Sequence, residues 1–155
     1  WQYEPFTDFM NFIMQQMWNI LHWQGYNLEN RIPMVNECWV QEFPEEGGFH
    51  DVHIHGNNIM SGFYFLKAGN KTSKPYFHDP RPGKAMVDIM SKKKGEVTPA
   101  TAQVNYPVKP GQFIFFNSWL PHSYAHHKGK EKFRFIHFNM SAPVNPKKID
   151  KVGEK

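Results

Sequence analysis

Between Phe6 and Leu21 the apolar residues Phe6, Phe9, Met10, Ile13, Met14, Met17, Ile20 and Leu21 recur at the three-and-four spacing of an amphipathic helix. The pattern predicts a helix over residues 6–24, with Thr7 or Asp8 able to cap its start and Gly25 to end it. Its methionine- and aromatic-rich stripe reads as a face packed onto a sheet. From about residue 34 the texture changes to short, aromatic, β-branched segments separated by proline or glycine. Strands are predicted over 37–43, 49–55, 59–68, 75–79, 102–109, 111–118, 122–127 and 132–141. Many short strands with turn signals between them predict a β-sandwich or barrel, mainly β behind one N-terminal helix. Residues 80–100 interrupt the series as a long loop with room for a short helix, the kind of segment that often serves as a lid.

Composition narrows the picture. The chain has 155 residues, of which 40% are hydrophobic and 16% aromatic, enough to build one domain, 1–155, around one core. No 18-residue apolar run predicts a membrane span, and the N-terminal residues carry neither the basic region nor the cleavage pattern of a signal peptide. The chain starts at Trp1 rather than Met, which leaves room for residues upstream. Cys38, the single cysteine, cannot form an internal disulfide or help build a multi-cysteine zinc site, and a cytoplasmic, reducing location is expected. The formal charge is +4. The lysines cluster at 91–96, 126–132 and 145–151, which read as solvated loops and a basic tail over 142–155. Attraction to an acidic partner or nucleic acid stays open as the sharper alternative, with no recognition motif behind it.

The candidate chemistry lies in FHDVHIHGNN, where His50, His53 and His55 fall beside Asp51. On a regular strand Asp51, His53 and His55 share one face, and His50 shares the other with Val52 and Ile54. Two imidazoles side by side next to a carboxylate form a metal-site arrangement, and imidazole suits zinc, copper, iron and nickel. His122, which follows an aromatic strand and a proline, is the candidate third ligand. A bare His-x-His is more often a surface pair; the Pro-His after an aromatic strand moves the balance to metal. Arg134 lies inside the aromatic segment KFRFIHF and therefore needs an anionic partner, either a protein carboxylate or a ligand carboxylate held by a bidentate clamp.

Together these pieces resemble the iron(II)- and 2-oxoglutarate-dependent oxygenases, most closely the prolyl-hydroxylase-like branch and its small members from bacteria and phages. The resemblance covers roughly residues 37–141: HDVHIHGN for the His-x-Asp region, SGFYFLKAG for the following strand, KPGQFIFFNSWLPHSY for the distal histidine and FRFIHFN for the arginine. It implies a double-stranded β-helix, or jelly roll, with Fe(II) held by His53, His55 and His122. It also implies 2-oxoglutarate clamped by Arg134, and O2 as cosubstrate. The implied reaction is a hydroxylation coupled to oxidative decarboxylation of 2-oxoglutarate, with an unknown substrate for which a protein side chain is one candidate. His55 stands where the family usually has Asp. Asp51 could replace that carboxylate as a ligand, although a role orienting His53, or plain exposure, is preferred. Phe43 and Phe65 stand where tyrosines often contact the oxoglutarate, leaving Gln41, Asn57, Ser61, Tyr64 and Asn139 as candidate cosubstrate contacts.

An aromatic wall of Phe63, Phe65, Phe113, Phe115 and Trp119 is expected to keep the site dry, and His78 and Arg81 of YFHDPRPGK are expected near substrate. His126 and His127 read as solvent-exposed, and His137 is placed outside the site because strand alternation sets it opposite Arg134. Two other classes remain: a cupin-like three-histidine metalloenzyme that does not use 2-oxoglutarate, and a non-catalytic jelly-roll binding module.

Overall fold

The computed structural model describes residues 3–151 except 88 and 94. A single long helix, α1 (Glu4–Trp23), precedes eight strands: β1 (Met34–Phe43), β2 (His50–His53), β3 (Met60–Lys67), β4 (Pro75–His78), β5 (Gln103–Asn105), β6 (Phe113–Asn117), β7 (His122–Tyr124) and β8 (Phe133–Ser141). All eight predicted strands are present, most of them shorter than the apolar runs that announced them. They form two four-stranded antiparallel sheets, ordered β1-β8-β3-β6 and β2-β7-β4-β5. This is the interleaved order of a jelly roll, with β1 and β2 as edge strands on the two sheets.

The helix starts earlier than its apolar pattern suggested. Tyr3 is the N-cap and Pro5 lies in the first turn, where a missing N–H costs nothing. Thr7 therefore sits within the helix, its hydroxyl donating back to the Tyr3 carbonyl, and it caps nothing. Gly25 ends the helix as expected, in the left-handed region at φ +84°. Met10, Ile13, Met17 and Leu21 are buried against Met60, Phe138 and Met140 of the first sheet. Each such side chain contributes about 1.5–3 kcal/mol by leaving water. Gly62 of β3 makes this contact possible, because a Cβ there would collide with the Phe138 ring and meet the Ile114 carbonyl at 2.7 Å.

The other face of the first sheet turns toward the second sheet and carries a different core. Phe43, Phe63, Phe65, Phe133 and Phe135 pack there with Phe77, Phe116 and Tyr124. Alternation on β8 is strict in its consequences. Phe133, Phe135, His137 and Asn139 face this interior, while Ile136, Phe138 and Met140 face the helix. The start of the basic tail is tied down: Arg31 donates to the Ala142 carbonyl, and Asn145 N–H to Asn30. A short 3-10 turn, Pro82–Met86, occupies the predicted long loop.

Candidate metal centre

Strand β2 is not regular. His50 pairs with Tyr124 and His53 with His122, so three steps on β2 oppose two on β7. The extra residue is a β-bulge, and a bulge re-aims side chains. Alternation had grouped Asp51 with His53. The bulge instead leaves Asp51 exposed and turns His50 inward, where its ring packs on Phe43 at 5.1 Å and approaches His53 at 5.8 Å. Val52 and Ile54 face solvent.

His53, His55 and His122 converge where β2 meets β7. Their ring centroids are 4.3 Å apart for His53 and His122, and 5.0 Å for each of the other two pairs. Each offers one nitrogen, and the three nitrogens lie within 4.8 Å of one another, a set able to hold a metal ion. His55 Nε2 and His122 Nε2 are 3.1 Å apart, close to the spacing of about 3–3.5 Å between two nitrogens each roughly 2.1 Å from one ion.

Hydrogen bonds set the tautomers. His53 Nδ1 lies 2.7 Å from the Asp51 carbonyl and His122 Nδ1 lies 3.0 Å from the Leu120 carbonyl. A carbonyl only accepts, so both Nδ1 atoms carry the proton and both Nε2 atoms present lone pairs to the centre. Asp51 thus orients His53 through its main chain. Its carboxylate is not part of the cluster. Behind His55 runs a buried polar chain. Ser61 Oγ meets Ser118 Oγ at 2.8 Å and donates to Asn139 Oδ1 at 2.7 Å. Asn139 Nδ2 donates to Glu37 at 2.7 Å and lies 3.4 Å from His55 Nδ1.

Burial keeps the imidazoles of His55 and His122 neutral. His55 is lowered to about 4, chiefly by desolvation and then by neighbouring His53, with Glu37 acting in the opposite sense. His122, 1% exposed, is lowered to about 3, again mainly by desolvation. Neutral imidazole is the form that ligates.

The other expected site residues divide. Gln41, Ser61 and Asn139 lie on the histidine side of their strands, in register with Trp39 and Phe43, with Phe63, and with His137 respectively. Tyr64 faces the helix, stacked on Phe113 at 4.3 Å and near Phe9, and Asn57 is an exposed turn residue at φ +60°.

Arg134 is not brought to the histidines. It lies on the outer side of β8 and is paired with Glu42, its Nε donating at 2.8 Å, while Lys132 binds the same carboxylate. A protein carboxylate is therefore its anionic partner. The physical reason is register: an aromatic strand has two faces, and the rings of Phe133 and Phe135 took the inner one.

The aromatic wall differs in the same way. Phe63 and Phe65 face the interior, Phe113 and Phe115 face the helix, Trp119 is exposed, and Phe116 instead lies 4.6 Å from the His122 ring. His127 is buried, not exposed. Its Nδ1 accepts from Ser73 N–H at 3.2 Å and its Nε2 donates to the Glu131 carbonyl at 2.8 Å, making it a satisfied structural histidine. His78 bonds Ser123 Oγ at 2.9 Å and Arg81 is paired with Asp79. Together with Phe77, Thr98 and Leu120, His78 and Arg81 line a groove of about 320 Å³.

Sequence reasoning missed His137, Trp39 and Glu37. His137 is 3% exposed, its ring 4.6 Å from His55, 5.0 Å from Phe63 and 4.3 Å from Trp39. Alternation sets His137 and Asn139 in phase with Phe133 and Phe135, but nothing in the sequence marks that phase as the inward one.

The family described as "putative 2OG-Fe(II) oxygenase" matches residues 37–139, which include every residue of this centre. No curated protein matches in sequence. Among solved structures, a Pseudomonas putida prolyl-4-hydroxylase aligns with a TM-score of 0.60 at 14% identity, over 90% of this chain and 66% of that one. A 2OG-Fe(II) oxygenase family oxidoreductase from Burkholderia pseudomallei aligns with a TM-score of 0.53 at 10% identity, over 72% of this chain and 46% of its own. The α-ketoglutarate-dependent epimerase SnoN from nogalamycin biosynthesis aligns with a TM-score of 0.55 at 11% identity, over 83% and 55%. At these identities the likeness establishes the jelly-roll fold. The chain spans less than half the length of the Burkholderia protein and about two thirds of the hydroxylase.

Proposed function

The chain belongs to the putative 2OG-Fe(II) oxygenase family, and from that membership we propose that it is an Fe(II)-dependent oxygenase whose metal is held by His53, His55 and His122. One observation carries the proposal: two of the three Nε2 lone pairs are already aimed inward by main-chain hydrogen bonds, and the third nitrogen stands 3.1 Å away. An ion bound on three nitrogens keeps open positions for exogenous ligands, and bound iron supplies the one-electron chemistry that O2 requires. The chain's own residues orient those nitrogens and set the Phe63 and Phe116 rings beside His122. Three neutral ligands leave the ion its full double positive charge, so an anionic exogenous ligand is the natural complement.

Membership supports 2-oxoglutarate as that ligand and hydroxylation of a C–H bond as the outcome, with a protein side chain among the candidate substrates and His78 and Arg81 on the substrate side. The donor set fits the iron but not the family's way of holding the cosubstrate. Arg134 faces outward, and among the described residues no lysine or arginine is buried. The interior past the histidines is lined by Phe43, Phe63, Phe65, Phe133 and Phe135, and a buried carboxylate without a cation there is costly. This favours a second reading, a three-histidine oxygenase that does not depend on 2-oxoglutarate.

Anaerobic addition of Fe(II) and then 2-oxoglutarate, followed by visible absorption, separates the two. A charge-transfer band that needs both additions, vanishes in His122→Ala and persists in Arg134→Gln supports a 2-oxoglutarate enzyme without a guanidinium clamp. Iron binding with no band and no measurable 2-oxoglutarate affinity supports the second reading. Failure of the wild type to bind Fe(II) removes the oxygenase proposal.

A further inference from the structure

His137 is a buried imidazole with an unmet hydrogen-bonding group. Its Nε2 is buried with no hydrogen-bond partner, and the residue is 3% exposed. Leaving such a group unpaired costs free energy, and an orphan of this kind marks either strain or a partner that arrives with function. The surroundings do not demand an imidazole. The two residues before it on the same face are Phe133 and Phe135, and its cross-strand neighbours are Trp39 and Phe63. A phenyl ring would fill this place at no polar cost. What singles the position out is adjacency: the ring stands edge-on to His55 at 4.6 Å, and the Trp39 indole closes over it at 4.3 Å. His137 is not one of the three residues whose nitrogens cluster within 4.8 Å.

Resting on the metal centre proposed above, we propose that His137 is a positioning residue for the metal's exogenous ligand, its Nε2–H donating to an anionic ligand atom bound on the ion. A neutral imidazole carries one N–H donor, and a donor fixed in a low-dielectric pocket holds an anion without bringing a buried charge of its own. This gives the centre a neutral substitute for the absent inward guanidinium. It also selects small anionic ligands, because the anchoring contact lies beside the ion and not deep in the aromatic core.

The test uses Co(II)-loaded protein with azide as the anionic probe, read from the Co(II) visible spectrum. Wild type is expected to bind azide. His137→Phe is expected to bind Co(II) with unchanged stoichiometry but azide about 10- to 100-fold more weakly, and His137→Gln, which keeps a donor, is expected to recover part of the loss. Equal azide affinity in His137→Phe overturns the proposal. So does loss of Co(II) from a folded His137→Phe, which would make the residue a ligand. Should His137→Phe not fold, nitrogen NMR of Zn(II)-loaded wild type decides: azide is expected to protect the His137 Nε2–H from exchange, and an unprotected or unaltered resonance overturns the proposal. Absence of Co(II) binding to wild type instead brings down the metal-centre reading, and this inference with it.

Discussion

His53 and His122 each give their Nδ1 proton to a carbonyl two residues earlier in the chain. Such a bond is local, so the tautomer is fixed by the turn that carries the histidine and not by distant packing. His55 differs: among the described residues no carbonyl holds its Nδ1, and the Asn139 amide nitrogen, held by Ser61 and Glu37, stands 3.4 Å behind the ring. Asn139→Ala removes the side chain packed behind the His55 ring and is expected to weaken metal binding about 10- to 100-fold and to destabilise the fold by about 0.5–1.5 kcal/mol through the hydrogen bond that buried Ser61 loses. Metal titration and denaturant unfolding check the two effects. Arg134→Gln is expected to do neither. Its ion pair with Glu42 is partly exposed, with side chains 46% and 31% accessible, and such pairs contribute up to about 1 kcal/mol. A large loss of metal or ligand affinity in Arg134→Gln would place the guanidinium in the site after all.

At the scale of elements, the strand order and the single helix were legible because apolar periodicity and turn residues act locally. The choice of inward face was less so. On β8, both Arg134 and His137 are candidates for the interior, and periodicity of two says only that they oppose each other. What decides is the helix, which covers the face holding Ile136, Phe138 and Met140, and the sequence does not say which face that will be. The bulge in β2 was equally hidden, since one extra residue on one strand leaves no compositional mark, yet it exchanged Asp51 for His50. The trio itself was legible, because His53 and His55 are two apart and His122 follows its own turn. Gly62 joins these elements to the helix layer. Gly62→Ala is expected to cost about 1–3 kcal/mol by forcing the Phe138 ring away, measured as a drop in unfolding free energy.

Across the whole molecule, one sheet layer is glued to α1 by methionines and phenylalanines, and the space between the sheets grades from an aromatic core to a histidine-lined edge at β1 and β2. Among the described residues no helix is long and apolar enough to cross a membrane. Concentrating buried histidines at one edge has a consequence for pH. Desolvation lowers His55 to about 4, His122 to about 3 and His137 to about 2, against about 6.5 for an imidazole in the unfolded chain. Below pH 6.5 the unfolded chain takes up protons that the folded protein refuses. Stability is therefore full above that pH and falls as the pH drops toward 4. Metal-free protein is expected to melt at a lower temperature at pH 5 than at pH 7, and His137→Phe to show a shallower decline. The most direct test of the account is stoichiometric titration of the metal-free protein with Co(II) under argon, in wild type and in His122→Ala. Wild type is expected to take up one ion per chain, with the spectrum of a nitrogen-bound site, and His122→Ala none at comparable affinity. Wild type that takes up no stoichiometric ion, or a His122→Ala variant that binds it equally well, would contradict it.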